Sequence, residues 1–174
     1  MAYQLKHYTA SMYKKICKID EDFERAGEAP YFKFDSFADY LGWLVVLREH
    51  RKGRALPDGW APYELLTLID DQGELLCLGQ LRFGDDYGNM TWAGHIGYSV
   101  PPSKRGHGYA KAFLSQCLDH AWENGFSHIM LTCDTTNIAS KTVIEHCGGI
   151  FTGRYRSKVY DKYQYMFYRP QESR

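Results

Sequence analysis

Residues 99–110 read Ser99-Val100-Pro101-Pro102-Ser103-Lys104-Arg105-Gly106-His107-Gly108-Tyr109-Ala110. They lie between a short apolar run, which predicts a strand, and a segment with apolar residues at intervals of three and four, which predicts a helix. Gly106 and Gly108 permit unusual backbone angles and the close approach of a ligand. With the unpaired first N–H groups of the helix, their amides would form a concave set of donors suited to a diphosphate. The simpler interpretation is that both glycines only make a tight turn.

Two other glycine-rich phosphate motifs fit this stretch less well. If Gly106 and Gly108 opened a dinucleotide fingerprint, Lys111 would stand where the third glycine belongs. No glycine is followed by Lys-Ser or Lys-Thr, as a nucleoside-triphosphate loop requires. A Rossmann or P-loop assignment is therefore disfavoured.

The flanking sequence predicts a mixed α/β order. The predicted helices cover 11–23, 36–49, 109–122 and 137–147. The predicted strands cover 3–8, 63–69, 74–83, 92–100 and 127–133, with two more in 150–168 around a turn near Ser157. A strand, helix and strand over 92–133 implies two parallel neighbours joined by a right-handed crossover.

Composition limits the function classes. A chain of 174 residues, 44% hydrophobic and 24% charged, fits one domain over 1–174. Lys plus Arg equals Asp plus Glu at 21 each, so no net charge indicates a nucleic-acid partner or a membrane surface. Five widely spaced cysteines without a CxxC indicate buried apolar residues rather than a metal site. The N-terminus lacks a secretion signal and no run approaches about 20 apolar residues, so a cytoplasmic location is expected.

Two motifs resemble those of one enzyme family, the GCN5-related N-acetyltransferases (GNATs). The segment Arg105-Gly106-His107-Gly108-Tyr109-Ala110 resembles the family's Arg/Gln-x-x-Gly-x-Gly/Ala pyrophosphate motif, and the preceding Tyr98-Ser99-Val100-Pro101 is similar as well. Residues 134–149, which include Asn137, resemble its fourth-helix motif. The resemblance implies the acyl-CoA N-acyltransferase fold, a mixed and mostly antiparallel central sheet of about seven strands with a splayed parallel pair and flanking helices. Gly94 and Gly97 would suit a bulge at the splayed strand.

The resemblance also implies an activity and a cofactor. It implies transfer of an acetyl group from acetyl-CoA to a primary amine of a small molecule or protein, by direct attack on the thioester and without a metal. Asn137 could equally serve as a helix N-cap. The cofactor-binding residues that it implies are Tyr98, Ser99, Val100, Arg105, Gly106, His107, Gly108, Tyr109, Ala110, Asn137, Ser140 and Lys141.

The catalytic groups are less clearly marked. An amine with a pKa of about 10.4 must lose a proton before it attacks, and His95 is the predicted base because imidazole titrates near neutral pH. Glu64, acting through water, competes with it. Ile144 stands where the family often has a tyrosine that protonates the leaving thiolate, which leaves that step to water, Ser140 or another tyrosine. The same residue motivates an alternative, a non-catalytic acyl-CoA sensor or regulatory module. A structural or partner-binding protein of this fold with a dead site stays open as a third hypothesis.

The resemblance places the acceptor pocket between the first two helices and the terminal hairpin. Aromatic rings there could surround an amine through cation–π contacts, although ordinary core packing is the simpler interpretation. A run of carboxylates suggests a cationic acceptor, or only a solvated helix face. A homodimer is compatible with the family. The residues concerned are the aromatic Phe23, Tyr31, Phe32, Phe34, Tyr155, Tyr160 and Tyr163, and the acidic Asp20, Glu21, Asp22, Glu24 and Glu28.

Overall fold

The computed structural model describes residues 2–84 and 90–170. Within them the order of strands and helices follows the predicted mixed α/β order, with one further short helix. One-turn 3-10 helices cover Ala10–Met12 and Pro102–Lys104. The longer elements are β1 (Gln4–His7), α1 (Tyr13–Arg25), α2 (Phe37–Arg51), β2 (Tyr63–Ile69), β3 (Leu75–Arg82), α3 (Met90–Ala93), β4 (Ile96–Ser99), α4 (Tyr109–Glu123), β5 (His128–Asp134), α5 (Ile138–His146), β6 (Ile150–Arg156) and β7 (Asp161–Tyr168).

The strands form two antiparallel sheets that meet at the predicted splayed pair. The first sheet has the order β1-β2-β3-β4 and the second the order β5-β7-β6. Gly94 and Leu131 form an isolated bridge, and the His95 N–H donates to the Met130 carbonyl at 2.7 Å. Beyond that point β4 and β5 are edge strands of different sheets, so each presents an edge of backbone N–H and C=O groups to the gap. The predicted fold class is confirmed.

The strand predicted over 92–100 is shorter in the structure. Met90–Ala93 is helical, and β4 covers only Ile96–Ser99. Gly94 has φ +67°, and a Cβ there would lie 2.7 Å from the Met130 carbonyl oxygen, so the chain passes too close to β5 for a side chain. Gly97 pairs with Gln80 in an unbroken register. The predicted bulge is therefore wrong, because Gly94 serves a close crossing ahead of the strand and Gly97 lies in regular pairing.

Side chains of β2 alternate between two apolar clusters. Leu66 and Leu68 are buried with α4 and α5, whereas Leu65 and Ile69 pack against α1 and α2. Full burial of one such side chain contributes about 1.5–3 kcal/mol. The alternation therefore holds α4 on one face of the first sheet and α1 with α2 on the other.

Further features bear on the sequence predictions. All five cysteines are unpaired. Cys77, Cys117 and Cys133 are buried as predicted, whereas the prediction is wrong for Cys17 and Cys147, which are only half-buried. No helix in residues 2–84 and 90–170 is long and apolar enough to cross a bilayer.

At Gly79, α4 packs closely against the first sheet. A Cβ there would lie 2.3 Å from the Phe113 ring and 2.6 Å from the Gly97 carbonyl oxygen. We expect Gly79→Ala to lower the free energy of unfolding by about 1–3 kcal/mol through overpacking, measured by urea titration. The matched control is Gly42→Ala within α2, where nothing lies within 4 Å of the added Cβ and a small gain is expected. Equal effects of the two variants would contradict the close approach of α4.

Candidate active site

A cavity of about 630 Å³ opens where α4 and α5 meet the end of β4. Its volume lies in the range of about 300–1,000 Å³ that small-molecule sites occupy. Most of the cavity wall is formed by residues that were predicted to bind the cofactor. Two of the predicted residues, His107 and Lys141, do not line the cavity. The predicted residues in the wall are Tyr98, Ser99, Val100, Arg105, Gly106, Gly108, Tyr109, Ala110, Asn137 and Ser140; Glu28, Lys104, Lys111, Ala139 and Val143 complete it.

The two-glycine loop has the conformation expected of an anion site. Gly106 and Gly108 have φ values of +81° and +80°, in the left-handed region that favours glycine. Gly108 is the N-cap of α4, whose first-turn amides have no partner within the helix. Lys104 and Lys111 add positive charge to the same wall. Amides, helix dipole and cations together suit a diphosphate.

A glutamate from the segment after α1 already holds the loop arginine. Arg105 donates from Nη1 and Nη2 to the two Glu28 carboxylate oxygens at 2.6 and 2.7 Å, and from Nε to the Val100 carbonyl at 3.1 Å. The hydrogen bond from Arg105 lowers the pKa of Glu28, and the bond to Glu28 raises the pKa of Arg105. Sequence reasoning missed this pair, since its members are 77 residues apart.

Other carboxylates predicted to face a cationic acceptor also have structural partners. Asp22 accepts from the Ser103 backbone N–H at 2.9 Å and from its hydroxyl at 2.8 Å, and that backbone bond is the main cause of the lowered pKa of Asp22. Asp20 accepts from the backbone N–H groups of Phe32 and Lys33, both at 3.0 Å. These contacts fix the start of the two-glycine loop and the chain between α1 and α2, and lend no support to acceptor binding by either residue.

A tyrosine hydroxyl lies at the cavity wall opposite the start of α5. The Tyr98 hydroxyl and Ser140 Oγ share a hydrogen bond of 3.0 Å. Burial raises the pKa of Tyr98 well above its ordinary value, so the phenol stays protonated at neutral pH. Asn137 Oδ1 accepts from the Ser140 N–H at 2.9 Å, which confirms the N-cap interpretation. Ile144 is fully buried in the core and is not part of the wall.

Comparison with known sequences decides the family. A family model described as "Acetyltransferase (GNAT) domain" matches residues 9–150. The chain belongs to the GNAT acetyltransferase family. No individually curated protein matches the sequence significantly.

Solved structures of GNAT enzymes share the fold. Mycobacterium smegmatis RimJ in complex with CoA-disulfide superposes with a TM-score of 0.71 at 19% identity, covering 95% of this chain and 81% of that one. The ribosomal-protein-S5-alanine acetyltransferase from Vibrio fischeri gives 0.68 at 17% identity, covering 97% and 93%. The spermidine N-acetyltransferase from Vibrio cholerae with CoA and spermine gives 0.64 at 15% identity, covering 95% of both chains. At these identities the likeness establishes the fold alone.

Within this GNAT domain, His95 does not join the cavity wall. Its side chain is 2% exposed, and Nδ1 accepts from the Met130 N–H at 2.9 Å. The Phe126 and His128 rings lie against it at centroid distances of 5.6 and 6.0 Å. A base must reach the amine directly or through one water. The catalytic role of His95 stays a prediction that this placement does not support.

Glu64, the competing base, lies near the far end of α4. Its carboxylate oxygens are 2.6 Å from His7 Nε2 and 2.6 Å from His120 Nε2, and Arg51 Nε lies at 3.2 Å. His120 follows Tyr109 by about 16 Å along the helix axis, which separates the cluster from the two-glycine loop. It adjoins a second cleft of about 600 Å³ between α2 and β1. Glu64 is thus a buried charge with three partners, distant from the predicted chemistry.

We expect Glu64→Gln to destabilise the fold at pH 7 by about 1–3 kcal/mol, because the buried network loses its negative charge and one of its two acceptor oxygens. Burial alone would raise the pKa of Glu64, but hydrogen bonds from His7 and His120 and the nearby positive charges lower it overall. A lowered folded-state pKa gives stability that is present above the unfolded pKa of about 4.3 and is lost as pH falls through the folded value. The difference from wild type should therefore shrink in acid.

The control for removal of the Glu64 charge is Glu74→Gln. Glu74 is half-exposed and pairs with Lys15 at 3.1 Å, so its loss should cost no more than about 1 kcal/mol. Unfolding free energies of the three proteins from pH 3 to 8 make the comparison. A pH-independent gap between wild type and Glu64→Gln would show that the ionised carboxylate is not the stabilising form.

The aromatic residues predicted to surround an acceptor fall into two groups. Those from α1 and the segment after it pack with the α1/α2 cluster as core. In the terminal hairpin, Tyr160 stacks on Trp92 at 4.6 Å, and Tyr163 lies 5.5 Å from Lys141 Nζ. No ring contact joins the groups within the described residues, so the single aromatic cage stays a prediction. The core group comprises Phe23, Tyr31, Phe32 and Phe34, and Tyr155 is half-buried in β6.

Proposed function

We propose that this GNAT chain transfers an acetyl group from acetyl-CoA to a primary amine of a small molecule or a protein, by direct attack on the thioester. The observation that carries the proposal is the cavity in which the left-handed Gly106–Gly108 loop, the start of α4 and the free edge of β4 share one wall. Acetyl-CoA supplies an activated acyl group. The loop suits its diphosphate, and the β4 edge suits a pantetheine arm bonded to backbone like an added strand.

Residues of the cavity would then perform separable tasks. Backbone N–H groups near Tyr98 to Val100 would stabilise negative charge on the thioester oxygen by preorganised electrostatics. The Tyr98 hydroxyl, supported by Ser140, would supply a proton to the departing thiolate. This pair would take over the task of the tyrosine that Ile144 replaces. It favours an enzyme over the sensor alternative that the isoleucine suggested.

The acceptor is proposed only as a primary amine. Two neighbours are named as acetyltransferases for spermidine and for a ribosomal-protein alanine, which span a small polyamine and a protein. Engagement of Asp20, Asp22 and Glu28 within the fold leaves the cationic acceptor without structural support. We also propose a cytoplasmic location, since unpaired cysteines suit a reducing compartment.

The decisive experiment is a calorimetric titration of the purified chain with acetyl-CoA, with CoA as a parallel titrant and NAD as a negative control. We expect saturable binding near one acetyl-CoA per chain and none for NAD. An amine panel assayed by release of free CoA then separates the enzyme from the sensor, which would bind without turnover. Absence of acetyl-CoA binding would overturn both.

A further inference from the structure

Arg105 lies in the predicted pyrophosphate motif and lines the cavity, yet both of its terminal nitrogens already bond Glu28. A guanidinium carries five N–H donors. Three are used here, one from Nε to the Val100 carbonyl and one from each terminal nitrogen to Glu28. The parallel pair of terminal N–H groups is the arrangement with which arginine binds carboxylate and phosphate alike. Glu28 therefore holds the position on Arg105 that a phosphate would take.

Glu28 also lines the same cavity as Gly106 and Gly108. Its pKa is lowered by the bond to Arg105, which keeps the carboxylate ionised at neutral pH. A diphosphate in the loop would place further negative charge beside it. Like charges in one site repel, and both compete for the same cation.

The pair connects the cofactor loop to the chain between α1 and α2, residues 26–36. The Phe23 ring lies 6.0 Å below the Arg105 guanidinium and stacks on Tyr31 at 6.3 Å. Tyr31 in turn contacts Phe32 at 4.8 Å. A change at the Arg105 to Glu28 contact would thus act on a segment that the family resemblance assigns to the acceptor side.

We propose that Glu28 is a positioning residue that competes with the cofactor diphosphate for Arg105. Cofactor binding would then loosen the contact between residues 26–36 and the loop, and so link occupancy of the cofactor site to the arrangement of the acceptor side. The inference rests on the proposed function, because it requires a diphosphate cofactor in this cavity.

Glu28→Gln tests the competition, because it removes the charge and keeps the shape. We expect acetyl-CoA to bind roughly two- to fivefold more tightly, the range set by one partly exposed ion pair. Glu24→Gln, which removes an equal charge from the exposed end of α1, should change the affinity less. Loss of a merely structural contact would weaken binding, so unchanged or weaker binding by Glu28→Gln overturns the inference.

A double-mutant cycle with Arg105→Ala tests whether Glu28 acts through that arginine. Arg105→Ala alone should weaken acetyl-CoA binding, and adding Glu28→Gln should then raise the affinity less than it does in wild type. The same gain in both backgrounds would show direct repulsion and overturn competition for Arg105. Wild type that fails to bind acetyl-CoA would instead refute the proposed function, so the two failures are distinguishable.

Discussion

Gly108→Glu is expected to reduce acetyl-CoA binding by at least about 100-fold, because juxtaposed like charges cost several kcal/mol. Gly108 lines the cavity and caps the start of α4. A glutamate there would place bulk and negative charge where the diphosphate is proposed to lie. It would also have to adopt φ +80°, a strained angle for a residue with a Cβ. Calorimetric titration with acetyl-CoA measures the loss.

The control for backbone strain and charge lies at the other end of the same helix. Gly125 follows α4, has φ +88°, and has nothing within 4 Å of an added Cβ, as at Gly108. Gly125→Glu should therefore lower stability by a similar amount but leave acetyl-CoA affinity unchanged, since α4 separates the two sites by about 22 Å. An unaltered affinity in Gly108→Glu, with wild type binding normally, would remove the diphosphate assignment.

The sequence predicted the fold correctly where one spacing of apolar residues extends over a whole helix or strand. The three-and-four spacing in 109–122 identified α4, and the glycines of 106–108 identified the turn before it. Trp92–His95 was misassigned because a short apolar run does not distinguish one helical turn from a strand. The close crossing at Gly94 then decided the outcome, and that crossing depends on Met130.

For the candidate site, too, the prediction succeeded for residues close together in the sequence and failed for contacts between distant segments. Its loop and β4 residues are close in sequence, and most of those predicted do line one cavity. Contacts between distant segments were not readable from one sequence, as with Glu28 and Arg105 or Asp22 and Ser103. The acidic run near the first helix suggested an acceptor surface or a solvated helix face, because the sequence does not show that Asp20, Asp22 and Glu28 have partners elsewhere in the fold.

Tyr98→Phe is expected to lower kcat on the order of 100-fold, the lower end of the range for a positioned proton donor. The lower end applies because a thiol with a pKa of about 8.5 leaves fairly well as its anion. Acetyl-CoA affinity should stay near wild type, since the ring and its packing against Phe113 remain. Because the pKa of Tyr98 is raised, its protonated, proton-donating form persists above neutral pH. Deprotonation of Tyr98 should therefore not lower the wild-type rate below about pH 10.

Tyr165→Phe is the matched control for loss of a buried phenol. The Tyr165 hydroxyl donates to Glu145 at 3.1 Å, and Glu145 lies in α5, the helix that also carries Ser140. Tyr165 is 1% exposed and does not line the cavity. Single-turnover release of CoA by both variants, with an acceptor found in the amine panel, separates chemistry from binding. An equal loss in both would assign the effect to packing around α5. An unchanged rate in Tyr98→Phe would return protonation of the thiolate to water, and the buried Ile144 would then mark a site that works without a protein acid.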